Sequence, residues 1–149
     1  MFEKAELALE REFGAIRRRS PDMAFDFTDY YAAEMGAGLV RRWVAFDRHP
    51  EPDRLAETKQ ATILLEKELC AGGPRPANLD PGLLSAHNLV LASTKAHAHR
   101  VYLSDGIFAE VTLVYRHGAY QPLEWTYPDY CTETCRGFMA ACRPNTDRP

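Results

Sequence analysis

Three short apolar runs typical of β-strands lie within residues 88–115. The runs are Leu89–Ala92, Val101–Leu103 and Ile107–Tyr115. Asp105 and Gly106 lie between the second and third runs. An Asp-Gly pair between two strand patterns is typical of a two-residue hairpin turn, because glycine adopts positive φ without strain. The pattern therefore predicts an antiparallel hairpin in which Val101–Leu103 pairs with Ile107–Ala109.

Helical periodicity predicts three helices. They are Phe2–Phe13, Arg54–Ala71 and Cys131–Cys142. The first is amphipathic and is followed by Gly14, which suits the position just after a helix. The second is followed by two glycines, which are a clear stop signal. Between these two helices, Leu39–Phe46 has the pattern of a strand.

The order of these elements predicts an α+β fold. Helices would cover one face of an antiparallel sheet, with an added C-terminal β-hairpin region. The series helix, strand, strand, helix would complete a ferredoxin-like split βαβ layout if one more strand preceded the first helix.

Length and composition fit one domain. The chain has 149 residues and is 46% hydrophobic, which allows a sizeable core. We expect a single domain over residues 1–142 and a disordered tail over residues 143–149. A net charge of −3 disfavours extended nucleic acid as a partner. No apolar run is long enough to cross a bilayer and no signal-peptide pattern is present, so we expect a cytoplasmic location without membrane contact.

A dense polar cluster lies between the first and second apolar runs. Lys95, His99 and Arg100 follow Ser93 and Thr94 within eight residues. Cations and hydroxyl groups at the end of a strand suit a phosphate or carboxylate ligand, and a histidine there can act as an acid or base near neutral pH. The alternative is a solvated surface turn with no ligand. The sequence leaves both interpretations open.

Three carboxylates are candidates to orient a ligand or the histidine. Asp80 and Asp129 lie beside prolines, and Asp80 also has a structural interpretation as a turn residue. Glu110 lies inside the third apolar run. We expect it to face solvent, with the alternative that it faces a cavity and pairs with Arg100 or Arg42. His99, Asp80 and Glu110 are the candidates for a catalytic role.

A second histidine lies two residues before His99. His97 and His99 share one face of an extended segment, a spacing that occurs in metal sites, with Asp129 or Glu110 available as a third ligand. We favour a site without metal and therefore assign no metal ligands.

Three cysteines lie near the C-terminus. Cys131, Cys135 and Cys142 would share one face of a helix. Their spacing fits no common zinc motif, so packing on a buried helix face is favoured over a metal or redox cluster.

Two segments are rich in aromatic residues. FDFTDYY contains Tyr30, and WTYPDY begins at Trp125. Aromatic rings can stack on a flat ligand, so Tyr30, Trp125 and Asp129 join Lys95 and His99 as candidate ligand-binding residues, together with Arg100. The same rings could instead pack inside the fold or form an interface with a partner or a second copy of the chain.

Five segments together resemble a known family. They are FDFTDYYAAEMG (25–36), RPANLDPGLL (75–84), LVLASTKAHAHRVYL (89–103), GIFAEVTLVY (106–115) and WTYPDY (125–130). The chain resembles DUF4416, a family of bacterial domains of unknown function. That family usually begins with a strand before the first helix, so the resemblance implies that this sequence is truncated at its start. The chain departs from the family pattern at His97, where tyrosine is usual, and at Ile63, where asparagine is usual. The resemblance implies no activity.

These observations lead to one functional hypothesis and one alternative. The hypothesis is that a polar pocket near Lys95–Arg100 binds a small anionic or nucleotide-like ligand. The alternative is a non-enzymatic interaction domain or homodimer that uses the FDFTDYY and WTYPDY segments. The sequence does not decide whether the chain is an enzyme, and it indicates no cofactor.

Overall fold

The structure is a computed structural model that describes residues 2–27, 38–48, 51–70, 72–73 and 75–145. The described residues form three α-helices, which are α1 (Phe2–Phe13), α2 (Leu55–Cys70) and α3 (Glu133–Cys142). They also form nine strands, which are β1 (Ile16–Arg19), β2 (Met23–Ala24), β3 (Val40–Arg41), β4 (Val44–Phe46), β5 (Gly82–Leu84), β6 (Asn88–Ser93), β7 (Val101–Ser104), β8 (Ile107–Arg116) and β9 (Ala119–Pro122). The α+β fold class is therefore confirmed. None of the described helices has the length and apolar character needed to span a membrane.

The helices begin and end where local signals place them. Gly14 has a φ of +91° directly after α1, and its amide donates to the carbonyl of Glu10 (3.0 Å). The helix α3 begins two residues later than the pattern predicts. A short 3-10 helix over Pro128–Cys131 comes first, and Thr132 then caps α3 by accepting a hydrogen bond from the Cys135 amide (3.2 Å).

The chain forms two compact units, one of residues 1–49 and 60–79 and one of residues 50–59 and 80–149. In the first unit, β1 pairs with β4 and β2 pairs with β3. The predicted single strand over Leu39–Phe46 is therefore two short strands with different partners. Between the two pairings, Trp43 exchanges hydrogen bonds with Ser20, and the neighbouring Arg42 binds Glu6 and Asp22.

The second unit contains a five-stranded antiparallel sheet. Its strands follow the order β5-β6-β8-β7, and β9 pairs with the far end of β8. The predicted hairpin between β7 and β8 is confirmed: Asp105 and Gly106 have φ values of +51° and +75°, and Val101 lies opposite Ala109. A second hairpin with the same positive φ pattern turns at residues 117–118. Described strands pair only in antiparallel fashion, whereas a ferredoxin-like layout would place two parallel strands side by side.

The register of this sheet brings polar residues together at one end. Leu91 lies opposite Glu110, and the pairing of Val101 with Ala109 extends by one residue to bring Arg100 opposite Glu110. Side chains of directly opposed residues share a face, so Arg100 and Glu110 are cross-strand neighbours. Further along β8, a β-bulge at Thr112 interrupts the alternation of faces.

Candidate functional site

Glu110 is the centre of a buried hydrogen-bond network. Its Oε2 atom accepts from Nε of Arg100 (2.7 Å) and from Nε2 of His99 (2.8 Å), and its Oε1 atom accepts from Oγ1 of Thr112 (3.3 Å). Its side chain is 3% exposed. The expectation that Glu110 faces solvent is therefore wrong, and the alternative pairing with Arg100 is confirmed. The cross-strand arginine makes burial of this carboxylate tolerable, because an unpaired buried charge is costly.

Arg100 is turned toward the protein interior. Its side chain is 4% exposed. Besides its contact with Glu110, its Nη1 atom donates to Oγ of Ser93 (2.9 Å) and to the backbone carbonyl of Lys95 (2.8 Å). The guanidinium thus ties the exposed segment after β6 to the sheet. Its place in the site is to hold Glu110 and this segment.

His99 is fixed on three sides. Its ring stacks on Trp125, with ring centroids 4.9 Å apart and planes 13° from parallel, and on His97, with centroids 5.6 Å apart. Because Glu110 is a carboxylate that also accepts from Arg100, the nitrogen of His99 that faces it carries a proton, so Nε2 is the donor. Nδ1 of His99 makes no hydrogen bond within the described residues, and the side chain is 23% exposed.

Trp125 is held by backbone contacts to the sheet. Its Nε1 atom donates to the carbonyl of Val111 (2.8 Å). The next residue, Thr126, donates through Oγ1 to the carbonyl of Thr112 (2.6 Å) and accepts from the amide of Leu123 (2.8 Å). These bonds fix the loop after β9 against β8. The indole is therefore preorganised as a wall for the His99 ring.

An open concavity lies beside this ring stack. It has a volume of about 670 Å³ and is lined by Ala98, His99, Glu124 and Trp125. This volume lies in the range of small-molecule pockets, which is roughly 300–1,000 Å³. Neither Ala98 nor Glu124 is a candidate from the sequence. Each is the chain neighbour of a candidate, Ala98 of His99 and Glu124 of Trp125, but the sequence does not reveal that His99 and Trp125 meet in space.

Asp80 and Asp129 lie apart from His99. Asp80 pairs with Nζ of Lys59 (3.2 Å), and the Lys59 side chain is buried. Asp129 is buried in the 3-10 helix before α3, where its carbonyl accepts from Oγ1 of Thr132 (2.7 Å). In the part of the chain that the structure describes, His99 contacts neither carboxylate. The structure thus brings together His99, Glu110 and Trp125, and Tyr30 lies outside the described residues.

The two histidines lie face to face. The His97 and His99 planes are 19° from parallel, and the ring centroids are 5.6 Å apart. No group of three or more His, Cys, Asp or Glu side chains within the described ranges is placed to hold a metal ion.

The C-terminal cysteines pack within the second unit. Cys135 and Cys142 are buried among the core residues of α3. Cys131 is half-buried in the 3-10 helix before α3, and its thiol donates to the carbonyl of Tyr127 (3.5 Å). All four cysteines lie in the described residues, and no disulfide bond joins them.

A family model for DUF4416, a domain of unknown function, matches residues 1–145. No curated protein and no solved structure matches the chain. The matched range includes the first compact unit, all but residues 146–149 of the second, and every residue of the network around Glu110. The chain is therefore a member of the DUF4416 family.

Proposed function

We propose that this protein binds a small anionic, nucleotide-like ligand in the concavity lined by Ala98, His99, Glu124 and Trp125. The observation that carries the proposal is the fixed His99 ring. It stacks on Trp125, is hydrogen-bonded to Glu110, and lines a concavity of about 670 Å³ that is open to solvent. Side chains that are held before the ligand arrives lose little entropy on binding.

His99 supplies the anion-binding group. When both ring nitrogens carry protons, Nδ1 is a charged donor on the side of the ring that has no protein partner within the described residues. A charge-assisted hydrogen bond to a phosphate oxygen is roughly twice as strong as a neutral one. Lys95 lies on the same exposed segment and adds positive charge to the approach.

Glu124 narrows the class of ligand. A carboxylate in the wall repels inorganic phosphate, but it accepts hydrogen bonds from hydroxyl or amino groups. A mononucleotide carries both kinds of group, with its phosphate at one end and donors on the sugar and base. Trp125 adds an apolar ring to the same wall. These complementary features favour a nucleotide over a simple anion.

The test is a calorimetric titration at about pH 6, in the range where histidine side chains in general gain or lose a proton. The four nucleoside monophosphates are compared with adenosine and with inorganic phosphate. We expect at least one monophosphate to bind more tightly than both adenosine and phosphate. His99→Gln keeps a donor toward Glu110 but cannot carry the charge, so it should weaken binding.

The matched control is His117→Asn. His117 is exposed in the β8–β9 turn at a φ of +51°, which asparagine tolerates. This variant should bind like the parent. Absence of binding by every monophosphate, or equal binding by the parent and the His99→Gln protein, would contradict the proposal.

A second candidate function is protein interaction through β7. This strand ends the sheet, and Tyr102, in the middle of β7, is 58% exposed, with Val101 and Leu103 exposed beside it. Natural sheets usually protect such edges with charge or proline. If β7 forms a self-association surface, the Tyr102→Lys protein should have a lower average mass in sedimentation equilibrium than the parent. Identical monomer masses for both proteins would remove this candidate.

We also propose that the protein works in a reducing compartment, the cytoplasm. No disulfide bond joins its four cysteines, all of which lie in the described residues, and Cys131 is half-exposed. Oxidising compartments favour disulfides, and free thiols are usual in a reducing one. Fractionation of cells that express the full-length protein would test the location.

A further inference from the structure

We infer that ligand binding at this site takes up a proton, and that the proton goes to Nδ1 of His99. This inference rests on the proposed function and adds a regulation to it: the site would bind its anion in mildly acidic conditions and release it as the pH rises. Two features of the ring lead to this inference: Nε2 is hydrogen-bonded to Glu110, and Nδ1 has no hydrogen-bond partner within the described residues.

Nε2 of His99 donates a hydrogen bond to Glu110 in both the neutral and the cationic form of the ring. Oε2 of Glu110 accepts from Nε2 of His99 (2.8 Å) and from Nε of Arg100 (2.7 Å). An oxygen held by an arginine remains an acceptor, so neutral His99 keeps its single proton on Nε2. The proton that leaves or returns is therefore the one on Nδ1.

Nδ1 is the atom whose chemistry changes at the concavity. The His99 ring stacks on both Trp125 and His97, and a hydrogen bond from a ligand can form only at the ring edge, where the nitrogens lie. In neutral His99, Nδ1 presents a lone pair, which repels a phosphate oxygen. In the cation, Nδ1 presents a charged N–H, which attracts it. One proton thus converts this edge from an acceptor into a donor.

Some charged groups around the His99 ring favour its cationic form, and others oppose it. Glu110 on β8 and Glu124 in the loop after β9 favour the cationic ring. Arg100 before β7 opposes it, as do Lys95 and, when protonated, His97 on the segment after β6. A bound phosphate adds one more negative charge beside Nδ1. The ligand therefore favours the protonated ring, and by linkage the protonated ring favours the ligand.

The test compares the pH dependence of binding in the parent and in His99→Gln, with adenosine 5′-monophosphate as the probe. The ionisation of its phosphate near pH 6 affects both proteins equally. The difference between the two slopes is therefore due to His99. We expect the parent affinity to fall more steeply above neutral pH, by up to about tenfold per pH unit relative to the variant. His117→Asn should have the parent slope.

A second measurement uses the parent protein alone: ¹⁵N NMR chemical shifts of the histidine rings report the protonation of each ring nitrogen. At a pH where the free protein has neutral His99, saturating probe should convert this ring to the doubly protonated form. Binding of the probe with equal slopes, or with His99 still neutral, would overturn this inference and leave the proposed function standing. If neither this probe nor any other of the four nucleoside monophosphates binds at any pH, the proposed function fails, and this inference fails with it.

Discussion

The most informative stability prediction concerns Glu110→Gln. The change keeps the size and shape of the side chain and removes its charge. Arg100 would then remain 4% exposed beside an uncharged amide, with Ser93 and a backbone carbonyl as its other acceptors. Breaking a buried ion pair by neutralising one partner costs about 3–5 kcal/mol. Since domains of this size are stable by about 5–15 kcal/mol, we expect a large loss.

An exposed ion pair in the same unit provides the matched control. Nη2 of Arg54 lies 2.6 Å from Oε2 of Glu57, and each side chain is 63% exposed. Solvent screens such a pair, so Glu57→Gln should change the free energy of unfolding far less than Glu110→Gln does. The double variant Arg100→Met/Glu110→Gln should lose less than the sum of its two single variants, because it leaves no unpaired buried charge.

The assay is urea unfolding followed by circular dichroism, with the slope of the transition checked for each variant so that changes in midpoint report stability. We expect the urea midpoint to be highest for the parent, slightly lower for Glu57→Gln and much lower for Glu110→Gln. If Glu110→Gln costs as little as Glu57→Gln, then the network around Glu110 is not held together by its charge, and the account of a fixed His99 ring would be refuted.

Two further predictions concern the same sheet. Burial raises the pKa of Tyr120 to about 12. The unfolded chain therefore loses this proton first, and stability should fall as the pH rises from about 10 to 12. Tyr120→Phe should flatten this fall, and it should cost about 1 kcal/mol near neutral pH because the hydroxyl donates to the Ser85 carbonyl (2.6 Å). Urea unfolding at neutral pH and at about pH 11 checks both expectations. An equal loss of stability between the two pH values in the parent and the variant would contradict the prediction. Gly82→Ala places a Cβ 2.7 Å from Cδ2 of Leu91 and should lower the free energy of unfolding by about 1–3 kcal/mol. Gly137→Ala in α3 places a Cβ with no described neighbour outside the helix backbone within 4 Å and should raise the free energy of unfolding by about 0.5–1 kcal/mol. A higher thermal midpoint for Gly82→Ala than for Gly137→Ala would contradict these expectations.

The sequence predicts those features that depend on neighbouring residues. The turn at Asp105-Gly106 is one, because positive φ is a local property of the pair. The pairing of Arg100 with Glu110 is implicit in the same hairpin, since a register that sets Val101 opposite Ala109 also brings residues 100 and 110 together. Extending the predicted hairpin by one residue would have indicated this ion pair.

Other features depend on contacts that the sequence pattern does not carry. Alternation along β8 groups side chains by face, but it does not say which face is buried, and this is why Glu110 is expected in solvent. The bulge at Thr112 also breaks the alternation, so that Thr112 and Leu113 are both fully buried. The stacking of His99 on Trp125 joins residues 26 positions apart and depends on the path of the loop after β9.

The central claim is that a nucleotide-like anion binds beside His99 and Trp125, and the two indole N–H signals of the chain test it most directly. The chain has two tryptophans: Trp43 is buried in the first unit, and Trp125 lines the concavity in the second. Trp125→Phe assigns the signals by removing one of them. Each of the four nucleoside monophosphates is titrated at about pH 6, and we expect at least one of them to move the Trp125 signal to saturation while the Trp43 signal stays in place. A Trp125 signal that moves with none of the four would contradict the proposed site.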